Sequence, residues 1–372
     1  MSWPIVKLGD ICRFEYGKNL PSSDRIAGEF QVFGSNGPVG DHNSGFTKGK
    51  TVVVGRKGSI GEAVFSSKSC WPIDTTYYVD EAGTDQDIRW LYYLIQSLNL
   101  RRFNKATGVP SLNRADAYNC KIMLPPLEEQ KRIAGILDQA DALRCLRARA
   151  LEKLNTLGQA VFQEAFGDPA TNPRSLPKLR IASAVSKISD GPFGSNLKSE
   201  HYTDAGVRVW RLQNITARGI DNSDQAFISE EHYNTISKHT CFPGDVIVAT
   251  LGDPNLRACI QPSSVSRAIN KADCVQIRPN NDVAIAEFWE GLINHPGMIA
   301  LSHSEIQGQT RARISMGRLR KICVPIPDIE DQYIYRDRVA GISILISKAD
   351  EAVKESNALF ASLQSAAFQG RL

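Results

Sequence analysis

The chain has 372 residues of ordinary globular composition, 42% hydrophobic and 23% charged, with a net charge of +4. That length accommodates two or three domains, and so mild a charge does not by itself nominate a nucleic acid as partner. No apolar run reaches the ~18 residues of a membrane span, and eight scattered cysteines without a C-x-x-C pair or a zinc-like histidine spacing predict reduced thiols in a cytoplasmic protein with no membrane association.

Residues 1–124 read as a first globular unit. Short β-rich runs at Phe30–Phe33, Thr51–Val54 and Thr75–Val79 are punctuated by glycines at 34, 37, 40, 45, 49, 55, 58 and 61. No crossover helices separate these runs, so the sheet is expected to be mostly antiparallel and the class α+β. A segment around Ile88–Leu100, apolar on most sides, predicts a buried helix. Residues 125–168 change character. Pro125 and Pro126 stop the preceding element, Glu128 and Glu129 suit the positive end of a helix, and about forty residues follow without proline. At 1.5 Å per residue that helix is about 58 Å long, too long for one compact core, and it needs a partner of its own length.

The remaining chain repeats the plan. Residues 169–324 comprise a turn-rich linker through Pro173 and a second globular unit. Within it Val207–Asn214 answers Phe30–Gly37, Gly244–Thr250 answers Gly49–Gly55, and Asn270–Ile277 answers Thr75–Val79 with its approach. Residues 325–372 form a second long helix, where the Leu-Glu-Glu-Gln of 127–130 returns as Ile-Glu-Asp-Gln at 329–332 and Phe166 returns as Phe368. A heptad stripe runs through Val339, Ile342, Ile346, Val353, Phe360 and Leu363, broken at Ser356; the first helix is rougher (Ile136, Leu143, Leu154, Leu157), with Arg147 on its seam. The expected fold is therefore α+β, two similar globular domains separated by two long helices that form an antiparallel coiled coil, with a pseudo-twofold internal repeat.

A rod of that length suits a ruler better than a catalytic scaffold. Successive turns of one DNA groove lie ~34 Å apart, within reach of two readers on such a rod. Arginine, asparagine and glutamine are the side chains that read base edges. The candidates are Asn36, Arg56, Lys57, Arg101, Arg102 and Lys105 in the first unit, and Arg211, Gln213, Asn214, Arg311 and Arg313 in the second. Motifs for chemistry are missing. GFTKGKT (45–51) lacks the leading glycine of a phosphate loop, FGSNG (33–37) has Ser35 where an F-x-G-x-G cofactor loop needs glycine, and no Asn/Asp-Pro-Pro-Tyr/Phe is present.

The stretch LPPLEEQKRIAGILDQAD with the helix ending QEAFGD (124–168), its echo IPDIEDQ…AAFQGRL, and the segments VVVGRKGSIG (52–61), GPFGSNLKSEHY (191–202) and FPGDVIVATLGD (242–253) resemble the specificity (S) subunits of type I restriction-modification enzymes over the full length. Tyr333-Ile334-Tyr335, where the first helix has Lys131-Arg132-Ile133, departs from an exact repeat. The resemblance implies that each globule is a target-recognition domain reading half of a bipartite, asymmetric site in double-stranded DNA. It implies no catalysis and no cofactor in this chain. Two modification subunits using S-adenosylmethionine would dock on it, and restriction subunits consuming ATP with Mg would join through them. The competing expectation is a coiled-coil spacer that does not read DNA sequence.

Overall fold

The computed structural model describes residues 3–104, 109–217, 219–252, 255–305 and 313–372. By contacts the chain divides into two compact units, Met1–Arg149 with Glu351–Leu372, and Ala150–Asp350. Each unit thus takes a globule together with a piece of each long helix, so the division falls within the helices and not at their ends.

In the first unit, a four-stranded antiparallel sheet has the order Glu15–Tyr16, Thr76–Asp80, Thr51–Gly55, Ala63–Ser66. The run Thr-Val-Val-Val is buried on both faces. Val52 and Val54 enter the main core with Trp90, Leu91 and Leu94 of the helix Ile88–Ser97, while Val53 packs with Phe33 and Cys70 on the other side. That two-sided burial is why the strand is continuously apolar instead of alternating. A second sheet orders Gly37–His42, Phe30–Gly34 and Trp71–Pro72, the last pair being parallel. The buried helix stops at Ser97, short of the expected Leu100, because Asn99 turns left-handed (φ 46°) and a 3-10 turn, Leu100–Phe103, follows.

The second unit repeats this topology. Val185–Asp190, Cys274–Pro279, Val246–Ala249 and Arg257–Ile260 form the matching four-stranded sheet, covered by the helix Ala286–Asn294. The parallel pair returns as Val207–Trp210 with Ala268–Asn270, inside a five-stranded sheet. Backbone hydrogen bonds fix the correspondence. Ile73 N donates to Phe33 O as Lys271 N does to Trp210 O, Arg56 N to Thr75 O as Thr250 N to Asp273 O, and Leu112 N to Arg56 O as Ile314 N to Thr250 O. Thr250 therefore stands where Arg56 stands, one residue from the pairing with Gly55 read from the sequence, because the glycine pattern of 49–55 does not mark the strand end.

The long helices are Leu127–Phe166 and Ile329–Phe368. The repeated glutamine near each start has a structural task. Gln130, 1% exposed, accepts from Asp87 N (2.9 Å) and donates to Pro125 O (2.9 Å). Gln332, fully buried, accepts from Ile285 N (3.0 Å) and donates to Pro327 O (2.8 Å). Each amide bolts the first turn of a long helix both to the proline stop before it and to the start of the buried helix of its own globule.

A row at heptad spacing runs along the second helix through Gln332, Tyr335, Val339, Ile342, Ile346, Ala349, Val353, Ser356, Phe360, Leu363 and Ala367, none of them exposed. The first helix has the same row 202 residues earlier, from Gln130 through Ile133, Leu137, Ala140, Arg144, Arg147, Leu151, Leu154, Gly158 and Val161 to Ala165. Leu143 and Leu157, expected on the seam, are instead 41% and 39% exposed, and Ile136 sits half-buried beside the row. The true row carries Arg144, Arg147 and Gly158, and a search for apolar side chains slides off it onto the neighbouring leucines.

Within each unit the first part of one long helix lies against the last part of the other in antiparallel sense. In the first, Arg132 donates to Leu372 O (3.0 Å) and Arg147 to Ser356 Oγ (2.7 Å) and Ala352 O (2.9 Å). In the second, Arg338 pairs with Glu164 (2.8 Å), and Tyr335 packs on Phe162 and Phe166. Ile133, Ala134 and Leu137 share a core with Phe360 and Ala367; Val161, Phe162 and Phe166 share another with Tyr335 and Ile342.

Candidate nucleic-acid interface

In the first unit, glycines bring four segments to one edge of the sheet. A Cβ on Gly55 would lie 1.9 Å from Ser59 O and 2.8 Å from Ser35 O, so only glycine lets the two-residue hairpin turn Ser35-Asn36 abut the loop 56–61. Lys57 faces Ser111 in a β-bridge, and Gly58 N donates to Pro110 O (3.0 Å). Gly61, at φ 73°, faces Leu100 Cβ so closely that a side chain would meet it at 2.7 Å. The result collects Asn36, Arg56, Lys57 and Arg101 from segments far apart in sequence. Asn36 and Lys57 are exposed; Arg101 is tied to Glu62. Arg102 is not part of this set. Its guanidinium covers the Phe103 ring at 4.8 Å and reaches Cys120 Sγ at 3.9 Å. Lys105 and Arg311 lie outside the described residues.

Arg56 donates to Asp74 O and lies 5.3 Å from the Tyr16 ring. Arg114, which nothing in the sequence singled out, lies 5.4 Å from the same ring and donates to Phe14 O (3.0 Å). Beneath them burial, reinforced by the neighbouring Tyr16, pushes the Tyr77 phenol up to about 12, and its hydroxyl donates to Leu112 O (3.2 Å).

The corresponding edge of the second unit is decorated differently. Gln213 occupies the position of Asn36, three residues past the matched Phe33 and Trp210. Its amide donates to Asp224 (2.8 Å), and Arg211 pairs with the same carboxylate (2.6 Å). These two contacts, the Gln213 hydrogen bond first, hold the Asp224 carboxyl below its usual range. Asn214 does not join this exposed set. It is 1% exposed, it donates to Asp221 O and Asp224 O, and it accepts from Arg211 N. It folds the loop, and no polar atom is left over to read a base. Arg313 faces Leu251 in a β-bridge, the counterpart of Ser111 with Lys57, and lies 3.4 Å from Asp273. Arg257, also missed from the sequence, enters the edge by donating to Ile215 O (3.2 Å) beside Gly252. Among the described residues no group of three or more His, Cys, Asp or Glu is arranged to hold a metal ion, and no helix is long and apolar enough to cross a membrane.

One α+β frame built twice, each copy bolted to a long helix and each bearing a different polar edge, defines a duplicated recognition module. Residues 2–156 match the family model described as the type I restriction modification DNA specificity domain. The chain is 22% identical over 374 residues to the type I restriction enzyme MjaVIII specificity subunit of Methanocaldococcus jannaschii, covering 92% of this chain and 87% of that one. It is also 24% identical over 141 residues to the type I restriction enzyme EcoprrI specificity subunit of Escherichia coli, covering 37% and 35% of the two chains. The type I restriction-modification S subunit from M. genitalium shares the fold, with a TM-score of 0.64 at 15% identity over 98% of this chain and 96% of that one. A chain solved in work on complex assembly and conformational transition of the type I R-M system shares it too, with a TM-score of 0.58 at 15% identity over 100% and 98%. The chain is thus similar along its length to type I restriction-modification specificity subunits, matches their domain over residues 2–156, and has the fold of a solved S subunit.

Proposed function

We propose that the chain selects the DNA site for a type I restriction-modification complex, each globular domain reading one half of a bipartite, asymmetric sequence and the paired helices setting the unread gap between halves. The observation that carries this reading is that matched positions on one frame bear unlike side chains. Arg56 and Lys57 in the first unit answer to Thr250 and Leu251 in the second, Asn36 to Gln213, and Ser111 to Arg313. A common frame with two different edges is what an asymmetric pair of half-sites requires, since base edges are told apart by the donors and acceptors set against them.

Catalysis belongs, on this reading, to partners in the cytoplasm. Two modification subunits supply S-adenosylmethionine-dependent methylation, and restriction subunits that use ATP and Mg join through them, so this chain itself binds no cofactor. Sequencing the methylated positions in a host carrying the chain and its modification partner tests the proposal. One bipartite motif is expected, and exchanging residues 1–120 for those of another family member should alter one half-site only. Methylation without a sequence motif would leave a spacer protein, and a change in both halves would contradict independent reading.

A further inference from the structure

The two arginines over Tyr16 differ from Arg101 on their own edge and from Arg211 and Arg313 on the other. Arg101 is neutralised by Glu62, and in the second unit Arg211 and Arg313 lie against Asp224 and Asp273. Arg56 and Arg114 send their hydrogen bonds to the carbonyls of Asp74 and Phe14, and neither has a carboxylate at ion-pairing distance among the described residues. Arg114 lines a cleft of about 410 Å³ with Tyr16, Tyr77, Ser111 and Asn113, and Arg56 lies beside it, 5.3 Å from the Tyr16 ring and 5.9 Å from the Tyr77 ring. Its floor is aromatic: Tyr16 is half exposed, and Tyr77, 3% exposed, lies 5.1 Å from it.

We infer that this cleft is a phosphate clamp for the DNA backbone, in which Arg56 and Arg114 take one phosphodiester between them and Tyr16 holds their planes in place. The inference rests on the DNA-reading function proposed above and adds residues to it. A guanidinium stacked on a ring loses little freedom when it binds, and its fork of donors matches phosphate oxygens. Two such groups without an acid leave a local positive charge that an anion would neutralise. The cleft adjoins the edge that holds Asn36 and Lys57, so a duplex whose bases met that edge would bring its backbone to the arginines. Among the described residues the second unit shows no such clamp. Asp190, Thr250, Val275 and Met316 stand at the places of Tyr16, Arg56, Tyr77 and Arg114. Backbone anchoring of this kind is therefore confined to one half of the site.

The test uses the full chain with its modification subunits and measures duplex affinity over a range of salt, for the methylated site and for a scrambled duplex. Arg56→Gln and Arg114→Gln should each weaken both duplexes by the same factor, ~5-fold or more near physiological salt, and reduce the slope of log K against log salt by about 1. Arg56→Lys should restore most of the slope. A neutral methylphosphonate, walked along the duplex, should weaken the wild-type complex at one position and leave the doubly substituted one indifferent there. Folded variants with unchanged affinity and slope overturn the clamp, even if inorganic phosphate binds at the arginines. A loss confined to the methylated site overturns it in favour of base reading. A wild-type complex that binds neither duplex overturns the proposed function and the clamp together.

Discussion

At the scale of single residues, burial and hydrogen bonding give side chains of one type different work. Asn36 and Asn214 look alike as candidates at matched strand ends, but one is exposed in a hairpin turn and the other is consumed by three hydrogen bonds inside its loop. Gln130 and Gln332 appear in the sequence only as letters of a repeated motif, and their bolting function depends on backbone groups some forty to fifty residues away. Tyr16 and Arg114 gave no signal, because their significance is a shared cleft between segments about a hundred residues apart.

Glu290 is a residue of the same kind, invisible until packed. It lies on the helix Ala286–Asn294, and its carboxylate accepts from Ile260 N at 3.3 Å while burial pushes it up to about 7. In an unfolded chain a glutamate titrates near 4.3. Between those values the unfolded chain releases a proton that the folded one keeps. The stabilising contribution is therefore complete at lower pH and gone above about 7. Glu290→Gln stays neutral and can still accept from Ile260. It should match the wild type near pH 4 and exceed it at pH 8 by ~2 kcal/mol, allowing for the residue's partial exposure. Urea unfolding at the two pH values measures this, and an equal difference at both would contradict it.

At the scale of elements, both long helices and the strands at Phe30–Gly34, Thr51–Gly55 and Thr76–Asp80 were legible, because proline stops, glycine turns and heptad spacing are local signals, whereas short strands such as Glu15–Tyr16 and Trp71–Pro72 carry no pattern of their own. The seam of the first helix was legible only in part. Arg147 and Ser356 look in sequence like two separate flaws, yet they are partners. The guanidinium donates to the hydroxyl at 2.7 Å, and the hydroxyl donates to Ala352 O at 2.6 Å. A polar pair on an apolar seam fixes register at some cost in stability. Positions 202 residues away, Ala349 and Leu154, are apolar, so the repeat carries this pair on one side only. Ser356→Leu should destabilise by ~1–3 kcal/mol, because the half-buried guanidinium loses an acceptor. Adding Arg147→Leu should recover most of the loss, a coupling of ~1–2 kcal/mol in a double-mutant cycle. Additive effects would show that the two side chains do not work as a pair.

At the scale of the whole molecule, the α+β class and the internal duplication were readable because motif after motif recurs in order. The compact units were not. Nothing in the linear order says that each long helix is shared between two cores, since that depends on which side chains meet after folding. If the helices measure the gap between half-sites, inserting seven residues near 150 and seven near 350 keeps the heptad phase of both. Such a change should lengthen the unread gap by ~3 base pairs, from 1.5 Å of rise per residue against ~3.4 Å per base pair, and leave both half-sites as they were. Methylated-base sequencing reads the outcome, and an unchanged gap in a methylating complex would count against the measuring role.

Helix sharing has one more consequence, for fragments. The core that contains Ile133, Ala134 and Leu137 is completed by Phe360 and Ala367, so a truncated protein stopping near residue 150 would expose an oily strip to water. Such a piece should aggregate when made alone, despite holding the whole first globule. Supplied in trans with a peptide spanning 345–372, it should become monodisperse and co-elute with the peptide, and Phe360→Asp in that peptide should abolish the rescue. The first compact unit is assembled from two stretches of chain that translation delivers two hundred residues apart, so its core is completed only once the last helix has been made.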